Sequence, residues 1–248
     1  MKNLLSLAVM LTIFEISACS KKEKTADLTL NFTAKFNNQN LVLKSEYIDS
    51  ASYKYKIEKF KYFLSNIALV KDDNTEVKLT DLVCVDYETP STQTLVIKNI
   101  PVTHFKKVKF GVGLTAAQNN MLPDDVADSD PRHLYSSMYW GWLKYIFVRM
   151  EGRSDVDGSD KFDNLLIYDV GSDELYKTVE VLKSLNIAEG NNTLTFRLDI
   201  DKIFRNGISD IDISNYEESY THSDKTNSKN YDTAIKFAEN FSKAFTIE

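Results

Sequence analysis

The chain of 248 residues contains two cysteines and three histidines. One cysteine, Cys19, closes a short apolar run, which leaves Cys84 without a disulfide partner, so the core has to stand on apolar packing. His104, His133 and His222 lie far apart in sequence, which excludes a local chelating motif. Acidic residues exceed basic ones, the formal net charge is −6, and no basic stripe is present, so nucleic acid is excluded as the expected partner. Past the N-terminal leader no run is apolar enough to span a bilayer, which needs about twenty residues. There is no Gly-x-Ser-x-Gly elbow, no phosphate loop and no Cys-x-x-Cys pair. Serine, histidine and aspartate are all present, but nothing in the sequence brings them together, and a non-catalytic protein is expected.

What is there begins with the first residues. Lys2 supplies a positive start, Leu4 to Phe14 an apolar run, and Ile16-Ser17-Ala18-Cys19 a small-residue cleavage site. A run this short reads as a signal sequence rather than a membrane span. The tetrapeptide resembles the lipobox of a bacterial lipoprotein, in which the leader is cut before the cysteine and the thiol carries lipid. The polar segment Ser20-Lys21-Lys22-Glu23-Lys24-Thr25 then reads as a tether. The expected organisation is a signal peptide over 1–18, lipidated Cys19 with a tether over 19–26, and one domain over 27–248. The protein is expected in the cell envelope, anchored to the membrane through Cys19. The outer membrane is the expected site, on either its periplasmic or its outer side.

The mature chain reads as mainly β. Leu28, Leu30, Phe32, Ala34 and Phe36 alternate with polar residues at a period of two, and Asn37-Asn38-Gln39-Asn40 reads as a turn. Further extended segments are expected at 53–70, 77–85, 94–97, 105–112, 145–150, 164–170, 175–182 and 193–198, with a hairpin turn at Lys71-Asp72-Asp73-Asn74. Ile200 to Phe204 reads as a helical turn. Tyr231, Ala234, Ile235, Ala238, Phe241 and Phe245 fall near one face at helical spacing, so a C-terminal helix is expected. The fold class is an antiparallel β-sandwich or barrel with long loops and that helix. The polar stretch Thr115 to Ser137 reads as a long functional loop.

Three stretches carry a family resemblance. They are Tyr62-Phe63-Leu64-Ser65-Asn66-Ile67-Ala68-Leu69; then Phe110-Gly111-Val112-Gly113 with Asn119, Met138-Tyr139-Trp140-Gly141-Trp142, Tyr145, Phe147 and Glu151-Gly152; then Thr221-His222-Ser223 ahead of a helix with Asn240. In that order the chain resembles the MbnP-like copper-binding proteins, which are periplasmic or lipid-anchored bacterial domains. The resemblance implies a β-rich domain holding a copper ion with the help of histidines. It also implies a partner dihaem peroxidase-type enzyme that oxidises a tryptophan to kynurenine in some members. By position, Trp140 and Trp142 match the family's two tryptophans and His222 its histidine before the C-terminal helix. Two places depart from it: Asn119-Asn120 stands where members often carry Asn-His, and Asp169-Val170-Gly171 where they often carry His-x-Gly.

A copper site favours imidazoles, with thioether or thiolate as softer donors. His222 is the first candidate ligand. His133 stands in the long loop before the tryptophans, and Asp169 supplies an oxygen donor. His104 reads as surface loop. Met138 and Met150 read as core filler, Cys84 as a buried inert thiol, and Asp155-Val156-Asp157-Gly158-Ser159-Asp160 as a solvated loop rather than a calcium site. Strand alternation is expected to place Trp140 and Trp142 on one side. The alternative reading is a glycan- or protein-binding β module whose metal site has been lost.

Overall fold

The computed structural model describes residues 23–248. The expected leader, Cys19 and the first residues of the expected tether lie outside the described residues. The first part of the chain forms β1 (Thr25–Phe36), β2 (Gln39–Asn40), β3 (Glu46–Ile48), β4 (Lys54–Val70), β5 (Glu76–Asp86), β6 (Thr94–Pro101) and β7 (His104–Val112). Helices α1 (Ala116–Asn119) and α2 (Pro131–Leu134) follow, then β8 (Tyr139–Trp140), β9 (Lys144–Tyr145), β10 (Val148–Asp155) and β11 (Asn164–Val170). The last part holds β12 (Lys177–Asn186), β13 (Asn191–Asp199), α3 (Ile200–Phe204), α4 (Tyr216–Ser219), β14 (Tyr220–Thr221), α5 (Ser228–Lys243) and β15 (Phe245–Ile247).

Two sheets face one another. The smaller runs β15-β13-β1-β2, with β6 also on β1; the larger runs β12-β7-β4-β10-β11-β14, with β3 and β5 also on β4. The mainly β class with a C-terminal helix is what the sequence leads one to expect. Most pairs are antiparallel, but β1 with β13 and β11 with β14 are parallel. Both parallel pairs join strands distant in sequence, so alternation within each strand carried no sign of them.

Strand β1 shows why the sandwich closes. Its residues alternate buried and half-buried along the whole strand, and Leu28, Leu30, Phe32, Ala34 and Phe36 all enter the core. Asn37 and Asn38 take positive φ (45° and 66°), the turn conformation that asparagine tolerates and that suits a tight hairpin. Helix α5 covers one end of the core. Ala234, Phe237, Ala238 and Phe241 are its buried apolar face, and Phe237 stacks on Tyr168 of β11 with ring centres 4.5 Å apart. Ile235, expected on that face, is exposed, and Phe245 belongs to β15 rather than to the helix. Phe237 takes the apolar position instead, because 234, 237, 238 and 241 keep the three-and-four spacing of a single helical stripe.

In its middle the larger sheet is buried on both faces, while β12 at its edge alternates half-buried and exposed residues. Its inner face carries Phe60, Tyr62 and Leu64 into the main core. Its outer face carries Phe63 into a second cluster with Cys84, Met138, Leu143, Tyr145, Ile146 and Phe147. The segment 115–137, read from sequence as a loop, is built from short helices that lead into this outer layer. Arg132, buried there, is clamped by Asp130 at 2.9 and 2.7 Å.

Candidate functional site

Arg149, Asp169 and His222 form a row across three neighbouring strands. Arg149 of β10 is the register partner of Asp169 of β11. Tyr168 of β11 pairs with Thr221 of β14, so the next residues, Asp169 and His222, emerge together at the end of that parallel ladder. Alternation turns Val148, Met150, Tyr168 and Val170 into the main core. Arg149 and Asp169 consequently face outward, under the second cluster. Asp169 is buried, with only 2% of its side chain exposed. A buried carboxylate needs compensation, and Arg149 Nε donates to Asp169 Oδ1 at 2.8 Å. Arg149 also lies 3.2 Å from Glu151 and donates to the Ser137 carbonyl at 3.3 Å.

The loop holding His222 is clamped from two sides. Asn230, in the first turn of α5, accepts hydrogen bonds from the His222 N–H at 3.2 Å, the Asp224 N–H at 3.1 Å and the Thr221 hydroxyl at 3.0 Å. Its amide donates to the Tyr220 carbonyl at 3.2 Å. Ser223 takes a positive φ of 57°, a left-handed conformation that costs a non-glycine residue about 1–2 kcal/mol. Its hydroxyl offsets that strain by accepting from the Gly171 N–H and donating to the Asp169 carbonyl, both at 3.1 Å. Gly171 has no room for a side chain, because a Cβ there would sit 2.3 Å from the Tyr145 carbonyl oxygen.

Aromatic rings cover this row. The Trp140 ring centre is 5.1 Å from that of His222 and the Tyr220 ring centre 4.7 Å, both edge-on. The Arg149 guanidinium lies 5.4 Å from the Trp140 ring centre, within cation–π range. Trp140 and Trp142 do stand side by side, with centres 5.7 Å apart. The cause is a turn and not the alternation of one strand: Leu143 N–H bonds to the Trp140 carbonyl at 3.0 Å, and β8 returns as β9. The hairpin is fixed by Tyr139 packing edge-on against Tyr145 at 5.0 Å and by the Ile146 N–H on the Met138 carbonyl at 2.7 Å.

The donor set can be compared with what copper asks for. The buried Nδ1 of His222 lies 3.1 Å from Asp169 Oδ2, yet it makes no hydrogen bond, because the carboxylate is out of line with the ring nitrogen. Two unaligned donor atoms this close suit a shared cation. Three observations stand on the other side. The second carboxylate oxygen belongs to Arg149, whose positive charge stands at the site. His133 lies on α2 with its Nδ1 at 3.0 Å from the Pro123 carbonyl. No three His, Cys, Asp or Glu side chains cluster as a metal site among the described residues. The residues therefore fit an open site with two protein donors and do not fit a closed one.

The other candidates have structural tasks. Asn119 is buried; its carbonyl accepts from the Tyr145 N–H at 3.1 Å and its amide donates to Asp173 at 2.8 Å. Met138 and Met150 are fully buried in the two clusters. Cys84 is a free buried thiol, and burial pushes its pKa well up. Asp155 accepts backbone N–H groups from Gly158, Ser159 and Asp160 at 2.9–3.2 Å, so it folds its own loop. The fold does bring one serine, histidine and aspartate together: His104 Nδ1 is 2.8 Å from Asp72 and its Nε2 is 3.0 Å from the Ser184 hydroxyl. That trio lies on the surface, with Asp72 69% exposed.

The residues that sequence reasoning missed are Arg149, Tyr220, Ser223 and Asn230. A charged residue at alternate spacing with core residues Val148 and Met150 was the only available sign of Arg149, and it reads equally as a solvated strand face.

A β-sandwich capped by one helix, with an imidazole–carboxylate pair beneath a tryptophan hairpin, defines the class. The sequence profile of the MbnP family matches residues 25–226, and the chain belongs to that family. A solved structure, MbnP from Methylosinus trichosporium, superposes with a TM-score of 0.58 at 14% identity, covering 90% of this chain and 98% of that one. At that identity the likeness is one of fold. No curated protein matches the chain.

Proposed function

We propose that this MbnP-family chain is a lipid-anchored cell-envelope protein that holds a copper ion at a coordinatively incomplete, exchangeable site and performs no catalysis of its own. His222 Nδ1 and Asp169 Oδ2 are its two protein donors. The observation that carries this reading is a buried imidazole nitrogen without a hydrogen-bond partner, 3.1 Å from a buried carboxylate oxygen. Burying an unsatisfied ring nitrogen costs about 1–3 kcal/mol, which a bound cation would offset. Imidazole is the favoured nitrogen donor for copper, and the carboxylate loosens the site towards harder ions. Two protein donors leave positions for water or for a donor from a partner, so exchange is expected rather than storage.

Copper titration of the mature protein against a competing chelator tests this. Saturable binding at one equivalent is expected, with loss on His222→Ala and weakening on Asp169→Asn. His133→Ala is the companion variant, since its Nε2 stays free. Absence of binding in the parent protein, or unchanged binding in His222→Ala, overturns the metal role. The anchor is tested by radiolabelled palmitate, which should enter the parent protein and not Cys19→Ala. The implied partner is a dihaem peroxidase-type enzyme. Of the paired tryptophans, Trp142 is 62% exposed and so is the more accessible to such a partner. Mass spectrometry of protein from its native host would report a gain at Trp142 or Trp140.

A second reading, a glycan- or protein-binding module whose metal site has been lost, draws most directly on Arg149. The Arg149 guanidinium already supplies Asp169 with a cation. A parent protein that ignores copper while Arg149→Met takes it up would select that reading.

A further inference from the structure

A cavity of about 420 Å³ opens beside the tryptophan hairpin, lined on one side by Ser223 and Asp224 of the loop that carries His222. Its size falls within the roughly 300–1,000 Å³ typical of small-molecule sites. Trp142 forms one wall and is 62% exposed, the least covered large aromatic ring of the hairpin. An indole left in water at a cavity mouth retains apolar area that a ligand can cover. The remaining walls combine Leu143 with side chains of both charge signs.

Internal pairing decides which of those polar groups are free. Glu174 is neutralised, because Lys225 donates to both its oxygens at 2.7 Å and Ser172 adds a third bond at 2.7 Å. Asp173 is held only by the neutral amide of Asn119, at 2.8 Å. Asp224 is held by the Thr226 N–H at 2.9 Å and hydroxyl at 2.7 Å. Lys144 bonds the neutral Asn120 amide rather than a carboxylate. Two carboxylates and one ammonium thus line the same cavity without a charge partner among themselves. A cationic ligand would meet Lys144, and an anionic one Asp173 and Asp224. A neutral ligand with many hydroxyls meets no like charge, since each hydroxyl both donates and accepts. Its apolar ring face would cover the indole.

We propose that this cavity is a saccharide site, in which Trp142 stacks on one sugar ring while Asp173, Asp224 and Lys144 engage its hydroxyls. The proposal does not require that His222 binds copper.

Tryptophan fluorescence tests it directly, because the chain has only two tryptophans. The mature protein would be titrated with glucose, galactose, N-acetylglucosamine and their β-linked disaccharides, with calorimetry as a second readout. The expected result is a saturable change for at least one sugar. Trp142→Ala should weaken its binding about tenfold or more, as loss of an aromatic anchor does. Asp173→Asn should weaken it less, and His222→Ala should leave it unchanged. Both Trp142→Ala and Asp173→Asn alter the cavity surface, and circular dichroism of each should match the parent. The proposal is overturned if no sugar of the panel binds, if Trp142→Ala binds as the parent does, or if tetramethylammonium saturates the cavity instead.

Discussion

Two histidines of this chain stand beside an aspartate, and they differ in almost everything else. His104 and Asp72 meet on the surface at 2.8 Å, in hydrogen-bond alignment, with Ser184 on the other ring nitrogen. His222 and Asp169 meet at 3.1 Å without alignment, the carboxylate is buried, and Arg149, Trp140 and Tyr220 close around them. The exposed pair has the more familiar geometry of chemistry, but water screens it. The inner pair has the poorer hydrogen-bond geometry and the richer environment. Enclosure, compensation and an unsatisfied nitrogen, rather than residue types in contact, are what separate a candidate site from a surface contact.

The largest expected difference between the two regions is in stability. Arg149→Ala strips Asp169 of its compensating charge and should destabilise the fold by about 3–5 kcal/mol, the cost of leaving a buried charge unpaired. Asp72→Ala should stay within about 0.5 kcal/mol, as exposed pairs do. Urea denaturation of both variants checks this, and equal losses would erase the distinction. Next comes the clamp on the His222 loop. Asn230→Ala should cost about 1–3 kcal/mol through unsatisfied backbone groups, and copper binding should weaken with it. A variant with parental affinity would show that the loop is placed by β14 alone. At the exposed trio, Ser184 should resist a fluorophosphonate probe under conditions that label a serine hydrolase, and labelling abolished by His104→Ala would restore it as a nucleophile.

The smallest effect is expected at Glu174. The Lys225 ammonium and the Ser172 hydroxyl hold its carboxyl down to about 2, against 4.5 for the free group. A depressed folded value means the ion pair stabilises above the unfolded value and that this contribution fades as pH falls from about 4.5 to about 2. Both side chains are more than half exposed, so solvent screening keeps the effect small. The melting temperatures of the parent and Glu174→Gln should therefore differ slightly at neutral pH and converge near pH 2; a gap that widens in acid would contradict the assigned pairing.

The same contrast describes how much could be read in advance. The inner face was legible: β1 and the start of β4 alternate cleanly, and α5 shows its stripe, because burying one face of a strand or helix imposes a period on the chain. The outer face was not. Arg149 and Asp169 look like solvated strand residues until the hairpin of Trp140 and Trp142 folds over them. The parallel pairing of β14 with β11 is what brings His222 to Asp169, and no local pattern announces a two-residue strand. Family resemblance pointed to His222 and the tryptophans, but it carried no information about the arginine beside them.

By itself the sequence determined the β-rich class, the C-terminal helix and the residues of the main core, because these follow from periodic burial along a single segment. It also held the family signature. Tertiary structure alone decided that His222 and Asp169 share one enclosed place with Arg149, that His133 turns to the Pro123 carbonyl, and that Trp142 walls a cavity. Those facts rest on strand register and turn geometry between segments far apart in the chain, and such distances leave no mark on local sequence.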